Sequence, residues 1–333
     1  MADQQPMQPA EVVVSAPDTV RVELLFTGDV MQHEPQVAAA RTADGFDYAP
    51  TFAMVRPYFE QADFTIVNLE TTLSDRPPYT GYPLFRSPHV LAATLRDVGV
   101  DVVCQANNHC LDGGRIGVRR TTATLDACGL LRTGVFRDSV DYRRNRFLYL
   151  RKHGIRFLLL NYTYGTNGLP TPQGMWVNRI DTVQIARELA EAAEVDCRMV
   201  ALHWGNEYER TPNREQCRLA AFLRRHGVDL VIGHHPHVIQ PFEADSTGVI
   251  FYSLGNFVSN QRQRFRDGGL MGRVVVERIG EGPLRYQAEV IPVWVDKAHR
   301  YRIVPPAAAD TMSLGAAYQQ FMVDTRQLLQ KGV

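Results

Sequence analysis

The sequence predicts an α/β fold: one domain of two β-sheets flanked by helices. Three observations carry that expectation. Short apolar runs rich in β-branched and aromatic residues recur from about residue 21 onward, with the length of buried strands. Segments of helical periodicity alternate with them, the order that layers helices on sheets. In the last third the helices thin out and strands follow one another, which predicts antiparallel pairing in a second sheet.

The strands come in order. "RVELLFTGD" closes on Gly28-Asp29, "DFTIVNLE" on Asn68 and Glu70, and "VDVVCQANNH" on Asn107, Asn108 and His109. "IRFLLLNYT" follows, then "CRMVALHWG" with His203 and "VDLVIGHHPH" with three histidines. "GVIFYSLGNF" carries Asn256, and "LMGRVVVERI" and "YQAEVIPVWV" complete the strand-rich part. Helices are predicted over "TFAMVRPYFEQA", over "SPHVLAATLRDVG" with Ser87 as cap and Pro88 in the first turn, and over "GRIGVRRTTATLDACG". Two more run over "DTVQIARELAEAAE", capped by Asp181, and "TPNREQCRLAAFLRRHG", closed by Gly227. Residues 1–20 read as a flexible spacer, 21–305 as the domain, and 306–333 as a terminal helix and tail.

Composition narrows the function classes. The 333 residues are 45% hydrophobic and 22% charged, with 36 basic and 36 acidic side chains. Such balance argues against nucleic acid as a partner, and the basic stretch "DYRRNR" reads as a solvated hairpin edge. No apolar run reaches the roughly 18 residues of a membrane-spanning helix. The first residues lack the positive and apolar regions of a signal peptide. Five cysteines (Cys104, Cys110, Cys128, Cys197, Cys217) show no CxxC spacing, so neither a zinc knuckle nor a disulfide framework is indicated.

Polar groups gather at one end of the strands: Asp29, Asn68, Glu70, Asn108, His109, His203, His235, His237 and Asn256. Ligands bind at strand carboxyl ends in layered α/β folds, because loops there bring distant side chains together. Taken singly, Asp29 fits a turn or cap, "NNH" an Asn-rich turn with Asn107 left-handed, and His203 a packed histidine. Together, carboxylate, amide oxygen and imidazole without thiolate point to a centre for a zinc-, manganese- or iron-type ion. If "HHPH" stays extended, His235 and His237 face one way and His234 the other. That alternation assigns the first two to the metal.

"TGDVM", "VNLETTL", "QANNHCLDGG", "HWGNEY", "GHHPHVIQPFE" and "FYSLGNFV", in that order over about residues 21–260, resemble the CapA family of bacterial poly-γ-glutamate capsule proteins, kin to the calcineurin-like metallophosphoesterases. The resemblance implies a four-layer α/β/β/α sandwich of two mixed sheets packed face to face. Carried over by position, it implies Asp29, Glu70, Asn108, His203, His235 and His237 as ligands of one or two divalent ions (Mn, Zn or Fe). It implies His109 and Asp112 as catalytic groups. His33, Asn68, Glu207, Tyr208 and Asn256 are candidate substrate-binding residues. The chain also departs from the wider pattern. Met31 stands where Asp-x-His has its histidine, displaced here to His33; "NLE" replaces a bridging aspartate; Cys110 follows the Asn-His pair.

These features predict a metal-dependent hydrolase acting on a phosphoester or an anionic polymer in capsule or envelope poly-γ-glutamate biosynthesis. The alternative is a non-catalytic, metal-containing subunit that binds or anchors the polymer, which the missing Asp-x-His favours. Partners would include membrane proteins of capsule synthesis and export. The expected location is extracytoplasmic, in the periplasm or at the cell surface, with a signal or anchor outside this chain.

Overall fold

A computed structural model describes residues 18–331. In chain order its main strands are β1 (Thr19–Val30), β2 (Phe64–Leu69), β3 (Val102–Cys104), β4 (Leu131–Thr133), β5 (Leu148–Lys152), β6 (Ile155–Thr163) and β7 (Cys197–His203). They continue with β8 (Leu230–His234), β9 (Phe242–Asp245), β10 (Gly248–Phe251), β11 (Asn256–Val258), β12 (Gly268–Ile279), β13 (Arg285–Asp296) and β14 (Arg302–Val304). One sheet runs β14-β13-β12-β1-β2-β3-β4, with β11 joined to the end of β1; the other runs β9-β10-β8-β7-β6-β5.

The sheets face each other. Val22, Leu24 and Phe26 of β1 meet Phe157, Met199 and Ile232 of the second sheet in one buried cluster. The alternate residues, such as Leu25 and Val67, pack outward on Phe52, Phe59, Leu91 and Leu95. On the far side, Leu158, Val200 and Val231 pack on Ile185, Leu189 and Leu223. Four layers result, as the resemblance implied. Burial of both faces explains why these strands read as continuous apolar runs.

Helices α1 (Val90–Asp97), α2 (Gly114–Ala127), α3 (Thr182–Glu191), α4 (Arg214–Arg225) and α5 (Ala316–Lys331) cover the sheets. Asp181 caps α3 by accepting from the Val183 and Gln184 amides. Asn213 and Gln216 form a reciprocal capping box on α4, and Gly227 beyond its end has φ 75°. Both are the stop and start signals expected of such helices.

Four local expectations are corrected. The helix over residues 51–62 is two short pieces, Ala49–Phe52 and Arg56–Gln61, because Pro57 lacks an amide proton and its ring crowds the preceding turn. Ser87 and Pro88 form a small strand, Arg86–Pro88, paired with Thr72–Ser74. The Ser87 hydroxyl there bonds Thr71 at 2.7 Å, and α1 starts two residues later. "DYRRNR" lies on a helix, Ser139–Asn145, capped by Asp138; its Asp141 turns inward to the Arg132 guanidinium at 2.7 Å. The antiparallel strands of the last third extend the first sheet, since β1 pairs with β12 from Thr19↔Ile279 to Thr27↔Met271. The second sheet is built from residues 148–251. Of the N-terminal spacer, Thr19 and Val20 already belong to β1; residues 1–17 lie outside the described chain, as do 332–333.

Candidate metal centre

Both sheets deliver side chains to one edge. Asp29 sits at the end of β1, where its neighbour changes: β12 stops opposite Thr27, and β11 takes over with Asp29 registered on Asn256. The approach is tight. A Cβ on Gly28 would lie 2.1 Å from the Gly255 carbonyl oxygen, so glycine alone fits there. Glu70 follows β2 directly and is anchored by its amide to the Val30 carbonyl at 3.0 Å.

The histidine cluster reaches the site by an unforeseen route. β8 ends at His234, and His235 and His237 have φ values of 97° and 56°. The backbone is a left-handed turn, so alternation along a strand is not what pairs them. The turn brings His235 and His237 together in one candidate ligand set, with Glu207, while His234 Nε2 lies 3.0 Å from the Thr27 carbonyl oxygen. Asn107 is not left-handed either. Its amide donates to Asn68 Oδ1 and the Leu69 carbonyl (3.2 and 2.8 Å), while its oxygen accepts from the His109 amide (3.1 Å).

Asp29, Glu70 and His237 form one set whose ligand atoms lie within 4.8 Å of one another, and Glu70, His203 and His235 form a second. Glu70 belongs to both. Its Oε1 has no hydrogen-bond partner, yet lies 3.5 Å from His203 Nε2 and 3.7 Å from His237 Nε2. His203 Nδ1 and His235 Nδ1 are also buried without partners. Donors 3–4 Å apart around unsatisfied oxygen and nitrogen match the spacing of donors about 2.0–2.2 Å from a common cation. The residues present therefore fit a divalent ion. Asn108 adds an amide oxygen 2.8 Å from His203 Nε2. Glu207, which is exposed, forms a third set with His235 and His237.

Electrostatics agree with that fit. Burial, then the charges of Asp29, Glu207 and Asp112, push the Glu70 carboxyl well above its ordinary range. Burial also raises Asp29, but the hydrogen bond and charge of His237 outweigh it and hold this carboxyl below the usual value. Burial and neighbouring imidazoles push His203 well down and His235 to about 3. Both shifts favour the neutral imidazole at His203 and His235, the form that ligates, and a cation would relieve the carboxylate repulsion at Glu70.

Several predicted residues stand behind this layer. Asn68 donates to Asp29 Oδ1 at 2.8 Å and to Glu70 Oε2 at 3.4 Å. Asn256 Oδ1 lies 3.1 Å from His237 Nδ1, which is also 3.0 Å from Asp29 Oδ2. Both asparagines are buried and bonded to candidate ligands, so neither offers a surface to substrate. Asp112 Oδ2 lies 2.7 Å from His109 Nδ1 and accepts from the Phe85 amide at 2.6 Å. It therefore orients His109. His33 stays outside the ligand sets, its Nδ1 being 3.1 Å from Gln36 Oε1 and 3.3 Å from the Asn260 amide. Phe85, edge-on to both His33 and His109 at 5.0 and 4.6 Å, and Tyr164, 4.5 Å from His235, complete the walls. Sequence reasoning missed both, since each lies in a loop without a pattern of its own. A cavity of about 800 Å³ opens beside the centre, lined by Tyr164, Trp204, Glu207, Leu219, Phe222 and His235 among others.

The fold is shared with solved structures of a phosphatase and a nucleotidase-like protein. A phosphatase from Mycoplasma pneumoniae superposes with a TM-score of 0.52 at 13% identity, over 91% of this chain and 100% of that one. A 5'-nucleotidase-like protein from Staphylococcus aureus, solved with α-ketoglutarate, gives 0.52 at 13% identity over 92% of this chain and 58% of that one. In sequence, the chain is 29% identical over 282 residues to the PGA biosynthesis protein CapA of Bacillus subtilis, covering 82% of this chain. It is 28% identical over 268 residues to the capsule biosynthesis protein CapA of Bacillus anthracis, covering 75%. The matched parts amount to 71% and 63% of those relatives' lengths. The family model described as bacterial capsule synthesis protein PGA_cap matches residues 23–261, and the chain belongs to that family.

Proposed function

We propose that this protein is a metal-dependent hydrolase of the metallophosphoesterase type, acting in capsule or envelope poly-γ-glutamate biosynthesis or processing. The observation that carries the reading is Glu70 Oε1, buried, unpartnered and faced by two imidazole nitrogens at 3.5 and 3.7 Å. Asp29, Glu70 and His237 would hold one divalent ion, and Glu70, His203, His235 and Asn108 a second. When bound, such ions supply Lewis-acid polarisation and acidify water. The chain's own groups do the rest. His109, fixed through Nδ1 by Asp112, presents Nε2 as the atom that gives a proton to the leaving group. Asn68 and Asn256 keep the ligands from turning away. The cavity beside His235 takes the body of the substrate and limits water. Membrane proteins of capsule synthesis as partners, and a site of action outside the inner membrane, follow from the family setting and are part of the proposal. Among the described residues no helix is long and apolar enough to cross a membrane.

The test is turnover of generic phosphoesters and of poly-γ-glutamate by protein stripped of metal and reloaded with manganese, zinc or iron. Activity is expected only after reloading, and His109→Ala is expected to lower it by about 10²–10⁴-fold. A second reading, metal-dependent polymer binding without catalysis, draws on Met31. This residue, which is buried, stands two positions after Asp29, where the Asp-x-His pattern has its histidine. Polymer binding that needs metal, shows no turnover and ignores His109→Ala would establish that role instead.

A further inference from the structure

The segment "QRQRFRDG", residues 261–268, contributes nothing to the ligand sets, yet it is tied to them through its backbone. Asn256, which holds His237, donates its side-chain amide to the Arg266 carbonyl at 2.8 Å. The Arg266 guanidinium lies 3.3 Å from the centre of the Tyr208 ring. Tyr208 is itself fixed to the histidine turn, its amide donating to the Pro236 carbonyl at 2.7 Å. The Tyr208 ring sits 6.2 Å from the ring of His237. Both members of the stacked pair are thus registered on the residues either side of one candidate ligand.

Two further features show that the arrangement is built. Phe265 and Tyr208 hold left-handed φ values of 76° and 68°, unusual for aromatic residues and concentrated at functional sites. Phe265 is gripped by Arg210 and Arg264 at 4.2 and 4.9 Å, which fixes the turn that presents Arg266. The neighbouring arginines are all engaged. Arg264 pairs with Asp324 at 2.8 Å, Arg262 donates to the Val295 carbonyl at 2.8 Å, and Arg210 to the Asp324 carbonyl at 3.0 Å. Among the described residues, the half-buried Arg266 guanidinium alone in this group has neither an ion pair nor a hydrogen bond. A guanidinium stacked on an aromatic face keeps its edge donors free, in the planar fork that matches a carboxylate or a phosphate.

We propose that Arg266, held on Tyr208, is the anion-receiving group of the site: it takes a carboxylate or phosphoryl oxygen of the substrate beside the His237 end of the centre. This deepens the hydrolase reading by naming the group recognised, and it rests on that reading only for the position of the bond broken.

Calorimetric titration of inorganic phosphate, and separately of a γ-linked glutamate oligomer, into the zinc-loaded full chain tests it. Arg266→Ala is expected to weaken binding by about 10–100-fold, the loss of a charge-assisted hydrogen-bond pair. Arg266→Lys should recover only part, since it returns the charge without the fork. Tyr208→Ala should weaken binding together with Arg266→Ala. A loss confined to the oligomer assigns the site to carboxylate, and one confined to phosphate assigns it to phosphoryl; both support the proposal. Arg266→Ala and Arg266→Lys within twofold of wild type for both ligands, at unchanged zinc content and melting temperature, would overturn it. So would a wild-type protein that binds neither ligand. Turnover measured on the same samples separates the two readings. Arg266-dependent binding without turnover sinks the hydrolase alone, and turnover indifferent to Arg266 sinks this proposal alone.

Discussion

Glu70 is the residue on which the site turns. A fully buried carboxyl without a partner for one oxygen is a costly thing to keep, and two candidate ligand sets share it. The chain reveals this residue only in part: "NLE" marks an acid after a strand, while nothing in its spacing says that one oxygen would face two imidazoles. The histidines teach a similar lesson. Their chemistry was legible in "HHPH", but the backbone that aims them was not, because left-handed φ at His235 and His237 has no local marker such as glycine. The functional division still gives a sharp expectation. His237→Ala should lose metal, measured by elemental analysis of purified protein. His234→Ala should keep it while losing about 1–3 kcal/mol of stability, because the Thr27 carbonyl is left without its buried partner. Equal loss of metal in both variants would place His234 in the centre.

At the scale of elements, the strands and capped helices were readable because local signals and burial agree there. The misreadings fall where a neighbour overrides local preference. Ser87 has cap chemistry but finds Thr71 across a ribbon, and Asp141 looks solvated in sequence but has Arg132 to meet. Sheet membership of β12 and β13 was hidden for a different reason. Strand character says nothing of partners, and β12 pairs with β1, some 250 residues earlier, as well as with its chain neighbour β13. Where β1 passes from β12 to β11, the close approach at Gly28 makes a testable demand. Gly28→Ala would push a methyl group to 2.1 Å from the Gly255 oxygen, which the backbone can meet only by moving apart. A loss of at least about 2–3 kcal/mol in denaturant unfolding is expected, together with reduced metal content because Asp29 is the next residue. Unchanged stability would mean that the β1–β11 crossing is looser than its geometry indicates.

For the whole molecule, the metal reading predicts a coupling between ligand and fold. An ion at about 100 times its dissociation constant adds about 2.7 kcal/mol to a folded state that alone binds it, roughly 3–5 °C for a chain this long. Chelation should lower the melting temperature by that amount, and zinc or manganese should restore it. An indifferent melting curve would argue for an empty scaffold. The register of Asp29 on Asn256 has a further consequence in time. During synthesis Asp29 leaves the ribosome well before its strand neighbour Asn256, which emerges only after both sheets' central strands are made. The candidate site is therefore completed late in synthesis, and a nascent chain halted before β11 would hold all the candidate ligand residues without the strand that seats the first of them.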